Sequence, residues 1–544
     1  MHRWSPPSRT GYNGFQPQFD LNFADLYKKL RSEYGPTAQS KVKMTNDISQ
    51  IETEMEDCEA EIHWLQSHVA FLHNHSRHLD EYKTCLYSLM SPIRKLPDEL
   101  TLRIFDYACG LNNLTSGQLK TMPALAISSV CSHWRNLAKA SPQLWSRMRI
   151  NLTVMHTDHL GFDLLQMYLD SSQQYPLSFE ILGDKLETLD PRQAMVCATV
   201  GACSDRWKEL AVSQPTFFKV LTAQNPTHFP VLEELSISSF AFRLSGSLDR
   251  FQDSPKLRSL SISLFPLSKL PRSLFPWNQL NVLTICSYSE ELKYLLDGPS
   301  DLTELHFCEW ADGWFKQTTS PMLASSIQTV SLSVAASTQP ESESLVDVIF
   351  ASTTCPALTS LSIDRADFDD AYDRPWPKEI VQDFLSRSSC RLTTLSIKSI
   401  PLSDSDLIDT LARLPSLLHL TIDDTCVSYN HSPITSYLVQ SLHAFRYNGK
   451  SLTPSVLVPK LQSLSLVSSG ASKGFSDTDL VEVVASRQYP GGYTYDSETM
   501  KSFLRSVVLQ FPDRDISEEV YVPLKRLEKA GLRVVVIALG RILI

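Results

Sequence analysis

The sequence predicts an α/β protein in which strand–turn–return repeats stack into a solenoid, preceded by a small all-α three-helix module and a long N-terminal heptad helix. Three observations carry this expectation. A six-residue apolar phrase recurs ten times after residue 200, heptads run from residue 44 to 90, and three short apolar stripes lie between Leu96 and Trp145. A chain of 544 residues exceeds what one hydrophobic core organises, so a modular layout fits its length.

Residues 1–43 mix Pro, Gly, Ser and aromatics without a period, which predicts a disordered tail with one short helix around 23–30. A heptad frame follows over 44–90. Its a positions are Ile48, Met55, Ile62, Val69, Ser76, Lys83 and Met90, and its d positions are Ile51, Cys58, Leu65, Leu72, Leu79 and Leu86. The repetition, without Pro or Gly, predicts a coiled-coil helix and hence a possible coiled-coil partner. In a parallel in-register homodimer Glu52, Glu54, Glu59 and Glu61 would face their own copies and repel, so the charges favour antiparallel or hetero pairing. The alternative is a helix folded back on its own chain.

The next segment, 91–150, reads as three helices. Pro97 suits a first helical turn, and Asp98 and Glu99 place negative charge at the positive end of the helix dipole. Leu100, Ile104 and Ala108 then recur every four residues with Phe105 alongside, until Gly110 ends the stripe. After a polar loop at 111–121, Met122-Pro123 opens a second helix through Val130 and Cys131. A third carries Trp134, Leu137 and Ala138, and Ser141-Pro142 stops it before Leu144-Trp145 closes the module. A unit of about sixty residues buries only a modest core, so it gains from docking onto something else. A generic three-helix subdomain remains the plain alternative.

LPDELTLRIFDYA from Leu96 and VCSHWRNLAKASPQLW from Val130 resemble an F-box, through Leu96-Pro97, Glu99-Leu100, Ile104-Phe105, Val130-Cys131, Trp134 and Leu144-Trp145. The heptad helix running into PIRKLPDEL, with a Leu-rich region after it, is similar to a large group of fungal F-box proteins. The loop at 111–121 departs from the family in being longer and more polar. The resemblance implies docking to the Skp-type adaptor of a cullin complex through Leu96, Pro97, Leu100, Ile104, Val130 and Trp134. Leu137 and Trp145 are expected in the module's own core, as large side chains in so small a unit usually are.

From residue 151 to 544 the expectation is a repeat domain with a C-terminal cap. The phrase begins at Trp207, Leu232, Leu257, Leu280, Leu302, Ile327, Leu358, Leu392, Leu417 and Leu461, at intervals of 25, 25, 23, 22, 25, 31, 34, 25 and 44 residues. This spacing matches a leucine-rich-repeat solenoid. Its second and third apolar residues fall on one face of a strand, with Ser, Thr or His between them on the other. The Asn that usually follows the strand in such repeats is missing. LSDSDLIDTLARL from Leu402 has helical periodicity between two strands, and SVVLQF and LRVVVIAL supply last strands or a cap. The segment 362–379 gathers Asp364, Asp367, Asp369, Asp370 and Asp373 with Tyr372 and Trp376; its default reading is a solvated loop, the sharper one a grip for a basic peptide.

Composition narrows the function. A net charge of −10 leaves no concentrated basic surface, so nucleic acid is not expected as a partner. Eleven scattered cysteines without CxxC pairs and an N-terminus without a secretory pattern suit an intracellular protein, in cytoplasm or nucleus. The longest apolar run is too short to span a bilayer, so no membrane association is expected. Phosphate-binding, hydrolase and paired-ligand motifs are absent, and His68, His73, His75 and His78 on the heptad helix lack an opposing ligand set. No metal, cofactor or catalytic residue is therefore assigned. The expected function is the substrate-recognition subunit of a Skp-cullin-F-box ubiquitin ligase, with an unassigned target protein on the repeats and ubiquitin transfer left to partner proteins. The alternative is a non-catalytic interaction scaffold with no ubiquitin ligase role.

Overall fold

The structure is a computed structural model that describes residues 17–18, 20–31, 35–155, 160–183, 189–213, 217, 228–238, 248–263, 274–286, 301–309, 321–335, 344–366, 374–428, 431–444, 446–447, 452–453, 456–469, 474–488 and 503–543. The chain is mixed α/β and falls into two compact units, residues 1–101 and 102–544.

The first unit is helical. Helix α1 covers Phe23–Leu30, where Asn22 caps the first turn by accepting from the Asp25 amide. Helix α2 runs over Ala38–Met90, 53 residues or about 80 Å at 1.5 Å per residue. It begins six residues before the heptad frame because Thr37 caps it, its hydroxyl accepting from the Ser40 amide. Residues 38–43, expected in the tail, are thus helical, and residues 1–16 of that tail lie outside the described residues. Along α2 the heptad residues Ile48, Met55, Ile62, Leu65, Val69, Leu72, Leu79, Leu86 and Met90 are exposed, while Ile51 and Cys58 are half-buried. Two of the histidines are stacked on aromatic rings one turn earlier, His68 on Trp64 at 5.3 Å and His75 on Phe71 at 6.1 Å.

The second unit begins inside helix α3 (Asp98–Ala108) and continues with α4 (Pro123–Val130) and α5 (Ser132–Lys139). Its centre is one sheet of sixteen strands among the described residues, in chain order. These are β1 (Asn112–Asn113), β2 (Arg147–Asn151), β3 (Leu177–Leu182), β4 (Trp207–Val212), β5 (Glu234–Ser238), β6 (Ser259–Ser263), β7 (Val282–Cys286) and β8 (Glu304–Cys308). They continue as β9 (Thr329–Val334), β10 (Ser360–Arg365), β11 (Thr394–Lys398), β12 (His419–Asp423), β13 (Ser463–Val467), β14 (Ser506–Phe511), β15 (Arg533–Ala538) and β16 (Arg541–Ile542). Every phrase read from the sequence lies in a strand of its own, and all neighbours are parallel except the closing pair β15–β16.

Register explains why the phrase must repeat. Leu235, Leu260, Leu283, Leu305, Val330, Leu361, Leu395, Leu420 and Leu464 stand opposite one another from strand to strand, and so do Ile237, Ile262, Ile285, Phe307, Leu332, Ile363, Ile397, Ile422 and Leu466. Both columns are buried, and the Ser, Thr and His residues between them face outward, as a period of two demands. Burying one such Leu or Ile is worth about 1.5–3 kcal/mol, and each repeat secures it only through its neighbours. Strand entry is held by shared carbonyls: that of Glu233 accepts from the Arg258 and Ser259 amides at 2.9 and 3.1 Å, and that of Asn281 from Thr303 and Glu304 at 2.9 Å each. This ladder operates without the Asn that the repeats lack.

Several return segments carry α-helices: α6 (Leu160–Ser171), α7 (Pro191–Gly201), α8 (Leu345–Ser352), α9 (Lys378–Ser388), α10 (Asp404–Ala412), α11 (Ser436–Ser441), α12 (Asp477–Ser486) and α13 (Glu518–Lys529); two also pair as short strands, Met322–Leu323 with Thr353–Thr354. Helix α10 is the LSDSDLIDTLARL segment, capped by Ser403. Buried Arg487, just past α12, donates to the carbonyls of Leu442, Leu457 and Val458, tying two successive return segments with a cation whose pKa burial lowers to about 10. The last edge folds back as a hairpin whose turn has positive φ at Leu539 and Gly540 (47° and 73°), pairing Ile537 and Ala538 of β15 with Ile542 and Arg541. Among the described residues no helix is long and apolar enough to cross a membrane.

The first edge of the sheet lies where the sequence divides the helical module from the repeats, at 150/151. Strand β2 straddles residues 150 and 151, and β1 lies inside the segment 111–121, read from the sequence as a long polar loop. WSRMRI from Trp145 is a further copy of the phrase: Met148 and Ile150 stand opposite Phe179 and Ile181, which continue through Leu210 and Val212 to Leu235 and Ile237. Asn112, opposite Met148, ends the first column with a buried amide. Its Nδ2 donates to the carbonyls of Leu144 and Arg147, each at 3.0 Å, and its Oδ1 accepts from the Ala124 amide at 3.0 Å and the Tyr168 hydroxyl at 3.2 Å. All four hydrogen-bonding positions of the amide are used. Replacing Asn112 with Leu strands four partners in the interior, so hydrogen exchange should show the opening free energy of β1 and α4 falling by about 3 kcal/mol.

Candidate functional site

The three short helices divide their apolar residues between an inner and an outer set. Phe105 is 2% exposed and meets the edge of Trp134 at a centroid distance of 4.9 Å and an interplanar angle of 62°. Cys109, Ile127, Ala138 and Leu144 join the same core, and Leu137 packs against it. Trp145 is buried, its Nε1 donating to the Ala138 carbonyl at 2.8 Å and its ring set edge-on to Tyr168 at 5.0 Å. The inward placement expected for Leu137 and Trp145 is what the packing shows.

Local chemistry holds these helices in place. Asp98 and Glu99 occupy the first turn of α3. The Cys131 Sγ accepts from the Trp134 amide at 3.5 Å and caps α5. No side chain of the Met122 turn caps α4; the distant Oδ1 of Asn112 takes its Ala124 amide instead. Arg147 reaches from β2 to the Cys109 carbonyl at 3.1 Å and to Asp106 at 3.5 Å, fixing the end of α3. Burial, reinforced by the Asp106 charge, pushes the Cys109 thiol up to about 11, so it remains protonated at neutral pH.

The outer set is apolar as well. On α3, Leu100 is 48% exposed and Ile104 47%, four residues apart, and Tyr107 follows one turn later at 92%. Val130, the last residue of α4, is 60% exposed. Of the other sequence-assigned residues, Pro97 is exposed and Leu96 half-buried just ahead of α3. Trp134 is half-buried and spends one face on Phe105, so only part of its indole is open. The structure therefore brings Ile104 and Trp134 onto adjoining elements through the Phe105 contact. Tyr107 was not singled out from the sequence, although its i+7 spacing from Leu100 extends the stripe. Folding alone gives no reason for a tyrosine in solvent beside two exposed aliphatic residues.

The acidic aromatic segment offers less. Asp364 closes the alternation of β10 and Trp376 packs against the core, whereas Asp367, Asp369, Asp370, Tyr372 and Asp373 lie outside the described residues. Among the described residues no three His, Cys, Asp or Glu side chains gather into a metal-binding group.

Residues 93–151 match the F-box-like family, a span that includes α3, α4, α5 and strands β1 and β2. The chain thus carries an F-box-like domain. No curated protein matches the chain.

The inner and outer sets separate by mutation. Ile104→Ser should change unfolding free energy by less than about 0.5 kcal/mol, as exposed positions do, while Phe105→Ala costs about 3–5 kcal/mol through the cavity it leaves. Urea unfolding monitored by circular dichroism reads both.

Proposed function

We propose that this chain is the substrate-recognition subunit of a Skp-cullin-F-box ubiquitin ligase. The F-box-like domain docks the Skp-type adaptor, and the region from β2 onward, a leucine-rich-repeat solenoid in this reading, binds a target protein. The observation that carries the proposal is the stripe of Leu100, Ile104 and Tyr107 left in solvent on α3 within a segment that matches the F-box-like family. Leu96, Pro97, Val130 and Trp134 contribute the remaining adaptor contacts in this reading. F-box proteins are in general non-catalytic adaptors, and this one raises the concentration of its target near the ubiquitin-transferring subunits.

The domains proposed are the tail, the α2 coiled coil, the F-box-like domain and the repeats, with β2 shared by the last two. The outward Ser, Thr and His residues of the strands form the target-binding face. The exposed heptad residues of α2 support a coiled-coil partner and favour, as a second reading, a scaffold that assembles proteins without a ubiquitin ligase role.

Capture of a purified Skp-type adaptor by the full-length chain distinguishes these readings. Wild type should bind, and Leu100→Asp with Ile104→Asp should weaken binding by more than about hundredfold, because two apolar anchors are lost and two charges are desolvated. Unchanged circular dichroism verifies that the variant is folded. Wild type that fails to bind, or a folded double variant that binds equally well, excludes the ligase reading.

A further inference from the structure

Strands β7 and β8 end side by side on cysteines. The two strands are parallel neighbours in continuous register, and that register sets Cys286 directly opposite Cys308. Both are the last residues of their strands, and the alternation that buries Leu283, Ile285, Leu305 and Phe307 turns both thiols to the outward face with Thr284 and His306. Both are half-buried and reduced, and the two side chains are hydrogen-bonded to each other. The pair is invisible in the sequence because its members lie 22 positions apart.

We propose that Cys286 and Cys308 form a redox-sensitive dithiol that closes to an intramolecular disulfide in the presence of a low-molecular-weight disulfide such as oxidised glutathione. One protein thiolate attacks the small disulfide, forming a mixed disulfide and expelling one small thiol. The second attacks the mixed disulfide, forms the Cys286–Cys308 bond and expels the other. The two protons leave on the two small thiols, so two protein thiols are oxidised while one small disulfide is reduced.

Geometry supports closure and also makes it reversible. Neighbouring strands stand about 4.8 Å apart, inside the Cα range of about 4.4–6.8 Å that disulfides occupy. The bond needs its Cβ atoms at about 3.8 Å, nearer than straight parallel neighbours hold them, so the strand ends must draw together and the product stores strain. Strained, accessible disulfides are readily reduced, which is the behaviour of a switch rather than of a structural staple. The hydrogen bond with Cys286, burial and the charge of Asp364 push the Cys308 thiol well above the usual thiol range. Closure would alter the face assigned above to the target, but the dithiol chemistry does not depend on that assignment.

The test uses the full-length reduced chain, treated with oxidised glutathione, alkylated with iodoacetamide and mapped by peptide mass. The proposal expects a linked pair of peptides carrying residues 286 and 308, short of two hydrogens and restored by dithiothreitol. Cys286→Ser should eliminate the linked pair. Phenylarsine oxide, which bridges paired thiols, should shield both cysteines from alkylation in the wild type and shield Cys308 no longer in Cys286→Ser. If exposed Cys85 and Cys426 are modified while Cys286 and Cys308 alkylate freely with either reagent present, the dithiol proposal is wrong.

Discussion

One buried amide holds the start of the second unit together. Asn112 stands where the first apolar column would otherwise continue, and its four hydrogen bonds tie the N-terminus of α4, the turn before Trp145, strand β2 and Tyr168 of α6 into one knot. A polar group buried from solvent is costly unless every bond is made, and here every bond is made. The knot ends the column at a defined residue, protects the first edge of the sheet, and joins the short helices to the repeats that follow.

This junction resolves a problem of size. A module of about sixty residues cannot hide much apolar surface and remain stable by its own core alone. Trp145 supplies the connection: its indole closes the helical core while its backbone begins the strand phrase that Met148 and Ile150 complete. Trp207 repeats the device two strands later, its Nε1 donating to the Val200 carbonyl at 3.1 Å, the same seven-residue reach as from Trp145 to Ala138. With the helices braced on the sheet, Leu100, Ile104 and Tyr107 on the outer face of α3 stay exposed.

Much of this was legible in the residues. Helices α3, α4 and α5, the strands of the ten phrases and helix α10 all follow from periodicity, because each buries a single face with a fixed spacing. The first three strands were harder. β1 is two asparagines, too short to have a period, and the work of Asn112 depends on partners up to 56 residues away. WSRMRI fits the phrase, but its Arg residues and its position at the end of a helical module conceal it. The start of α2 depended on a Thr37 cap that apolar spacing does not register, and Tyr107 escaped notice because tyrosine is at home both inside and outside a protein. The cysteine pair depended on register, which no local pattern contains.

The central claim is that the F-box-like helices keep an apolar face open because the sheet edge, rather than that face, stabilises them. Hydrogen–deuterium exchange of the full-length chain with and without a Skp-type adaptor addresses it directly. New protection should concentrate in 98–108 and 123–139, with β1 and β2 already protected in the free chain. Free-chain amides of β1 and β2 that exchange as fast as solvent, or adaptor-induced protection that bypasses α3 and α4, would contradict the account.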